Sequence, residues 1–380
     1  MRLVVSGGGT AGHISPVLAV LEELKKLDRD LEVLYIGSDG PLEERVLKAA
    51  GVEYMAISAG KFRRYNRHWL EAAIDVKTNW DNARDFVRFN RGILQARRAI
   101  RQFKPDVVFV KGGYVGLPVG LVAAQQKLPL IIHESDIVFG LTNRYLSKRA
   151  NKVAVGWPLD FYKGHDKSNM IFTGSPLRRT AITGNRRAAL VHFRITEEKP
   201  IIFIMGGSRG AHSINLTIFE NLGQLLNKYT LIHVTGESDI ERARFVLSRQ
   251  EKALHKYYRP YSFLHNDMGL GYAAADVIVS RAGANSLSEV AAWSKPAIVI
   301  PLSSSANNHQ AQNAQALARM GALRILQQHE LSGFKLMSEI DRLMVDKSSR
   351  KYLGETIHKF FAPDAAKKLA ETIYGMRGHK

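Results

Sequence analysis

Three consecutive glycines, Gly7, Gly8 and Gly9, end an apolar run and lead into a helical pattern with a histidine at its start, "VVSGGGTAGHISPVLAVLEEL". Gly7, Gly9 and Gly12 satisfy the G-x-G-x-x-G spacing of a phosphate-cradling turn. Glycine lets the backbone approach a ligand closely. The helix that follows then offers free N–H groups and a partial positive charge to a phosphate. Further strand ends repeat that chemistry: Gly112 and Gly113; Gly206, Gly207 and Gly210; and Gly283. A dinucleotide enzyme needs one such turn, plus an acidic residue ending the second strand to hold a ribose. Here "YIGSDG" offers only Asp39, which comes late. Glycine turns in both halves of the chain point instead to two diphosphate ligands; tight helix–strand packing is the alternative reason for any one of them. At His13 the positive end of the helix dipole disfavours an imidazolium, which suits a neutral ring acting as proton acceptor. A capping or cleft-lining histidine without catalytic duty is the other reading.

The elements that must position these residues are legible as apolar runs alternating with helical patterns. The runs are "LVVS", "EVLYIG", "DVVFVK", "PLIIHE" and "KVAVG", then "IIFIMG", "TLIHVTG", "DVIVSR" and "AIVIP". Strands that read as continuous Val, Ile and Leu are buried on both faces, which implies parallel sheets in an α/β fold. The chain also repeats itself. "VVSGGGTAGHISPVLAVLEEL" is echoed by "FIMGGSRGAHSINLTIFENL", and "DVVFVKGGYVGLPVGLVAA" from Asp106 by "DVIVSRAGANSLSEVAA" from Asp276. Each second element precedes a proline-led strand, "LPLIIHE" or "KPAIVIP". Two Rossmann-like domains in tandem are therefore predicted, with ligands beyond the carboxyl ends of the strands in a deep cleft between facing sheets. The boundary is expected in the polar stretch Trp157 to Met170. That assigns 1–164 to a first domain and 165–354 to a second, with 355–380 as candidates to pack back onto the first.

The chain has 380 residues, 45% hydrophobic and 23% charged, which suits two folded domains. It has no cysteine, excluding disulfides, thiolate metal sites and thiol nucleophiles. The opening "MRLVV" reads into a strand without a signal-peptide stretch, and no apolar run approaches the roughly 20 residues of a membrane span. A cytoplasmic protein is expected. Lys and Arg number 54 against 35 Asp and Glu, a formal charge of +19. Such an excess implies an anionic partner: nucleic acid, phosphorylated substrates or an acidic membrane surface. Residues Lys61 to Lys104 hold twelve Lys or Arg and four acidic residues, interleaved with Phe62, Tyr65, Trp69, Trp80, Phe86 and Phe89. Basic residues mixed with Trp and Phe suit lipid headgroups better than a merely solvated face.

Several stretches in order resemble, nearly end to end, the MurG-type cell-wall N-acetylglucosaminyltransferase family: "GGGTAGHISPVLAV", "GKFRRY", "KPDVVFVKGGYVGLPVGLVAA", "HESDIVFGLTNR", "TGSPLR", "GGSRGAHSIN", "RAGANSLSEVAA" and "NNHQAQNA". The resemblance implies the GT-B arrangement and inverting transfer of N-acetylglucosamine from UDP-N-acetylglucosamine to undecaprenyl-linked lipid I. It also implies peripheral association with the cytoplasmic face of the cell membrane. Carried over by position, Thr10, Ala11 and Gly12 lie with His13 near the reacting centre, and His13 is the candidate base. Gly112, Gly113 and Tyr114 would hold the acceptor pyrophosphate. Asp136, Arg178, Ser208 and Gln310 would contact the donor, with Leu264 against the uracil. Ala284, Asn285, Ser286, Leu287, Ser288 and Glu289 would open a helix under the nucleotide, Glu289 accepting from the ribose hydroxyls.

The chain departs from the family at Glu134-Ser135-Asp136, where Glu-Gln-Asn is usual. An ionised Asp136 cannot donate as an asparagine does. Arg209 replaces a frequent Gln and would add charge near the donor phosphates, and "SSSANNHQ" lacks the acidic pair often preceding His-Gln. No cofactor and no metal are called for. The single Asp-x-Asp, Asp28 to Asp30, lies at the wrong end of the sheet and reads as turn chemistry. Rival readings are a dinucleotide-dependent oxidoreductase, a UDP-sugar epimerase, a related glycolipid synthase and a nucleic-acid-binding protein. The last has no recognised motif here, so no nucleic-acid partner is expected.

Overall fold

The computed structural model describes residues 1–8, 11–60, 76–196, 198–206, 211–303 and 308–378. The chain divides into two units. The first comprises Met1–Ser135, Phe139–Pro176 and Asp364–Lys380; the second comprises Asp136–Val138 and Leu177–Pro363.

Among the described residues the first unit holds β1 (Arg2–Gly7), β2 (Glu32–Gly37), β3 (Glu53–Ala56), β4 (Val107–Gly112), β5 (Leu130–Glu134), β6 (Lys152–Val155) and β7 (Met170–Phe172). They form one parallel sheet in the order β3-β2-β1-β4-β5-β6-β7. The second unit holds β8 (Ile201–Met205), β9 (Thr230–Val234), β10 (Tyr258–Tyr261), β11 (Val277–Ser280), β12 (Ala297–Val299) and β13 (Arg324–Ile325). Its parallel order is β10-β9-β8-β11-β12-β13. Strand order reverses between β1 and β4 and again between β8 and β11, the switch points at which Rossmann-like sheets take ligands.

The internal repeat is structural down to single hydrogen bonds. Asp106 Oδ2 accepts the Arg2 N–H at 2.8 Å, and Asp276 Oδ2 accepts the Ile201 N–H at 2.8 Å. The N–H of each aspartate returns to the carbonyl of the same residue, again at 2.8 Å. The two proline-led strands match as well: Pro129 O accepts from Val108 N at 2.8 Å and Pro296 O from Ile278 N at 3.0 Å. Each aspartate thus sets the register of the strand pair that makes its unit's switch point.

Both cores lie between sheet and helices. In the first, Leu3, Val5, Phe109 and Ile131 of the sheet meet Ile14, Val17, Leu21 and Leu24 of the helix Ala11–Leu27. The C-terminal helix Ala365–Gly375 adds Leu369, Ala370 and Ile373 to that same core. In the second, Ile202, Ile204, Val277 and Val279 meet Ile214, Ile218 and Leu222.

The expected boundary moves. β7 pairs in parallel with β6 and completes the first sheet, so the polar stretch Trp157 to Met170 is a loop within the first unit, which extends to Pro176. At the other end the helix Lys347–His358 stays with the second unit, where His358 Nδ1 sits 2.9 Å from Ala291 O. Asp28 to Asp30 is a turn, with Asp28 Oδ1 accepting the Asp30 N–H at 3.0 Å.

Candidate active site

At the switch point of the first unit the two glycine turns meet. β1 and β4 pair up to Gly7 and Gly112. Beyond them the chain enters conformations that only glycine adopts freely, with φ of +103° at Gly112 and +78° at Gly113. A Cβ on Gly113 would lie 2.5 Å from Gly8 O and 2.9 Å from Gly8 N. Close packing of one turn on the other is thus a structural reason for these glycines, and it also brings backbone amides to one spot at the carboxyl edge. Tyr114, partly exposed, follows directly. His13 lies in the first turn of the helix Ala11–Leu27, partly buried, with its Cβ 3.6 Å from where a Gly7 Cβ would stand. Gly12 is the second residue of that helix and Ala11 the first. Thr10 and Gly9 lie outside the described residues.

The neighbouring strand ends are filled by protein. Tyr35 Oη donates to Gly7 O at 2.6 Å, bracing the first turn from β2. Beyond β2, where a dinucleotide enzyme would keep a ribose-binding carboxylate, Tyr54 Oη would stand 2.5 Å from a Gly37 Cβ. The acidic residue there is buried Glu43, whose Oε2 accepts from Ser38 N at 3.1 Å and Ser38 Oγ at 2.9 Å. Asp39 is exposed. After β5, Glu134 Oε2 accepts from Gly140 N at 2.9 Å and Asn143 Nδ2 at 3.0 Å, so this buried carboxylate shapes the loop into the helix Leu141–Leu146.

In the second unit, Gly283 precedes the helix Ala284–Ala292, whose first turn has no side-chain cap. A Cβ on Gly283 would meet nothing within 4 Å among the described residues. Ala284, Ser286 and Leu287 are buried, and Asn285, Ser288 and Glu289 are partly exposed. Ser288 Oγ donates back to Ala284 O at 2.9 Å. Glu289 Oε2 accepts a 2.7 Å bond from the buried Tyr272 hydroxyl. Burial of the Glu289 carboxyl pushes its pKa up to about 7, with the Tyr272 bond acting in the opposite direction.

Arg178 stands just before the helix Arg179–Ile182, and its buried Nε has no hydrogen-bond partner among the described residues. Leu264 is buried. Gln310 Oε1 accepts the Leu302 N–H at 3.0 Å. Asp136 groups with the second unit, where its Oδ1 accepts a 2.7 Å bond from Asn313 Nδ2. Asn313 Oδ1 in turn accepts from Ile137 N at 2.9 Å. The carboxylate that departs from the family pattern thus has a protein donor. Ser208 and Arg209 lie outside the described residues.

Two buried cations escaped the sequence reading. Lys111 and Arg281 occupy equivalent places in the repeat, five residues after Asp106 and Asp276. They are 3% and 6% exposed. Each reaches across the next strand of its sheet: Lys111 Nζ donates to Ser135 Oγ at 2.5 Å, just past β5, and Arg281 Nη1 to Ile300 O at 3.0 Å, just past β12. Burial, assisted by Lys111, holds the His133 imidazole well below its ordinary range, and burial lowers the Arg281 guanidinium to about 10. The signal was available: a basic residue at the same offset in both halves of the repeat.

The chain matches the glycosyltransferase family 28 N-terminal domain over residues 3–155 and the family's C-terminal domain over residues 201–369. It is 36% identical over 370 residues to the UDP-N-acetylglucosamine–N-acetylmuramyl-(pentapeptide) pyrophosphoryl-undecaprenol N-acetylglucosamine transferase of Halalkalibacterium halodurans, covering 97% of this chain and 98% of the relative. The transferase of the same name from Bacillus pumilus is 35% identical over 375 residues, 98% of each chain. Among solved structures, Acinetobacter baumannii MurG has the same fold, with a TM-score of 0.71 at 23% identity over 98% of this chain and 99% of that one. Identity at this level over nearly the whole length, with glycine turns at both switch points, means that the chain belongs to the family 28 glycosyltransferases, among the UDP-N-acetylglucosamine–N-acetylmuramyl-(pentapeptide) pyrophosphoryl-undecaprenol N-acetylglucosamine transferases.

Proposed function

We infer that this chain transfers N-acetylglucosamine from UDP-N-acetylglucosamine to the 4-hydroxyl of N-acetylmuramic acid in lipid I, forming lipid II for peptidoglycan. The reading is carried by 36% identity across 97% of the chain to a transferase of that substrate pair. The acceptor's O4–C1 bond forms as the C1–O bond to UDP breaks, with inversion. UDP leaves with the electron pair, and the hydroxyl proton passes to His13. In this reading the first unit takes the acceptor, its pyrophosphate on the amides of Gly112, Gly113 and Tyr114. The second unit takes the donor: Arg178 and the third glycine turn at the phosphates, Glu289 at the ribose, and Gln310 at the sugar. Amides and helix starts already aimed at the diphosphates offset the charge growing on the leaving group without reorganising during the reaction. Incubation with labelled UDP-N-acetylglucosamine and a short-chain lipid I analogue should give the disaccharide product. Its absence with the intact protein overturns the reading, and wild-type turnover by His13→Ala removes His13 as the base.

An acceptor with an undecaprenyl tail stays in the bilayer, so the enzyme must come to the membrane. No helix among the described residues is long and apolar enough to cross one. The helix Val76–Phe103 supports peripheral docking on the cytoplasmic face. Phe86 and Leu94, 58% and 65% exposed, share a stripe at i and i+8 with exposed Val87 beside them, and Arg84, Arg88, Arg91 and Arg98 flank it. Apolar side chains set among arginines suit the interface of an anionic bilayer. Of the other aromatic residues in this basic stretch, Phe62, Tyr65 and Trp69 lie outside the described residues. Co-sedimentation with anionic liposomes should weaken as salt is added; equal binding to neutral vesicles argues against this docking.

A further inference from the structure

The helix His212–Glu220 follows the third glycine turn, and its first residue belongs to a side-chain network that the reaction described above does not use. His212 Nδ1 lies 3.0 Å from both carboxylate oxygens of Asp239. Asp239 is buried, and its Oδ2 also accepts a 2.7 Å bond from Asn215 Nδ2. Asn215 donates to Thr235 O at 2.8 Å, and its Oδ1 is 3.0 Å from His233 Nε2. His233 Nδ1 lies 2.8 Å from the Tyr258 hydroxyl. The bonds therefore run from buried Tyr258 outward to an imidazole whose side chain is 65% exposed. From the other side, Arg281 Nη2 donates to Ser213 Oγ at 2.8 Å. The first turn of this helix is thus held from beyond β9 by Asp239 and from beyond β11 by Arg281.

A histidine–carboxylate pair whose imidazole lies largely in solvent contributes little to stability. Here, however, three buried polar side chains stand behind it, which is the arrangement of a group held for contact. With the carboxylate on Nδ1, the ring presents Nε2 outward, and among the described residues none bonds to it. A carboxylate on Nδ1 fixes which ring nitrogen faces a ligand, and in the imidazolium form the outward Nε2–H is a charged donor. The pair stands past the carboxyl ends of β8 and β9, the edge at which such sheets take ligands. The other charged groups around it are Arg242, which acts on Asp239, Arg281 through Ser213, and neutral His233 through Asn215. Their sum favours an anion.

We propose that His212, held by Asp239, is a further donor-contacting residue: its Nε2–H bonds to the diphosphate of the nucleotide sugar and offsets the charge collecting there as the glycosidic bond breaks. The proposal rests on the second unit being the donor unit. The proton stays on the ring throughout. Asp239 is a positioning residue, acting only through His212.

Calorimetric titration of the full chain with UDP and with uridine tests this. His212→Ala should bind UDP about tenfold more weakly, as expected for loss of one charge-assisted hydrogen bond, with uridine affinity unchanged. His212→Lys, which keeps a cation, should recover most of the UDP affinity. Asp239→Asn should weaken UDP binding in the same direction and have no additional effect in the His212→Ala background. Equal UDP affinity in wild type and His212→Ala overturns the proposal while leaving the donor reading intact. Equal losses for UDP and uridine also overturn it, because the effect would then be structural. A wild-type chain that binds neither ligand removes the donor reading, and the proposal with it.

Discussion

In the proposed function Glu289 takes the donor's ribose, and its carboxyl should then make that grip depend on pH. A carboxylate accepts from both hydroxyls of a diol, whereas the protonated form gives up one acceptor to its own proton. With a pKa pushed up to about 7 by burial, roughly a tenth of the group is ionised at pH 6 and roughly nine tenths at pH 8. Binding that needs the carboxylate should therefore tighten roughly tenfold across that range, about 1.4 kcal/mol. Uridine is the ligand to use, since it carries the ribose and no phosphate, so the phosphate contacts proposed for His212 and Arg178 do not enter. Its dissociation constant should fall as pH rises from 6 to 8 in the wild type and stay level in Glu289→Gln. Tyr272→Phe removes the 2.7 Å hydroxyl bond that favours ionisation, so the inflection should move to higher pH. The fold responds in the other direction. The group's pKa is raised from 4.5, so its stabilising effect is complete below that value and is lost as pH rises toward 7. A Glu289→Gln variant with the wild-type pH slope, or an inflection that ignores Tyr272→Phe, would refute the assignment.

Gly113→Ala forces a side chain onto a φ of +78° with its Cβ 2.5 Å from Gly8 O. The two turns must separate, so transfer to a lipid I analogue should fall by more than about tenfold, beyond the ~1–2 kcal/mol of backbone strain itself; uridine affinity should not change, and unaltered transfer contradicts the close-approach argument. Leu369→Ala empties a fully buried place between the C-terminal helix and the first unit, costing about 2–5 kcal/mol in urea denaturation; a loss below about 0.5 kcal/mol would mean that this helix does not complete the core. Phe86→Ser with Leu94→Ser removes two exposed side chains, leaving stability within about 0.5 kcal/mol; co-sedimentation with anionic liposomes should fall severalfold, and unchanged partition would refute the docking helix.

Much of the fold was readable because central strands carry their environment in their composition. "LVVS", "DVVFV", "IIFIM" and "DVIVS" are apolar without a break because helices cover both faces, and all became central strands. β3, β10 and β13 were not read as strands. Each is a sheet edge, short and partly exposed, and "EYMA" or "RI" holds no periodicity to find. In the sequence β7 reads only as the far side of a linker, because its pairing to β6 is a long-range fact. The repeat carried more than it was asked for. Asp106 and Asp276 stand as echoes in the sequence, but that each anchors the first residue of a central strand emerges only when the strands lie side by side.

The sequence by itself determined the two parallel sheets, the glycine turns at their switch points and the family. Each is written in the type and spacing of residues close together in the chain. Only the tertiary structure decided which polar groups are engaged with which partners and which are shut away from water. Asp136 meets Asn313 across 177 residues of sequence, and His212 meets Asp239 across 27. Glu289 acquires its raised pKa from burial, against which the Tyr272 hydroxyl bond works. Hydrogen bonding and desolvation depend on what surrounds an atom in space, and that neighbourhood exists only once distant parts of the chain have met.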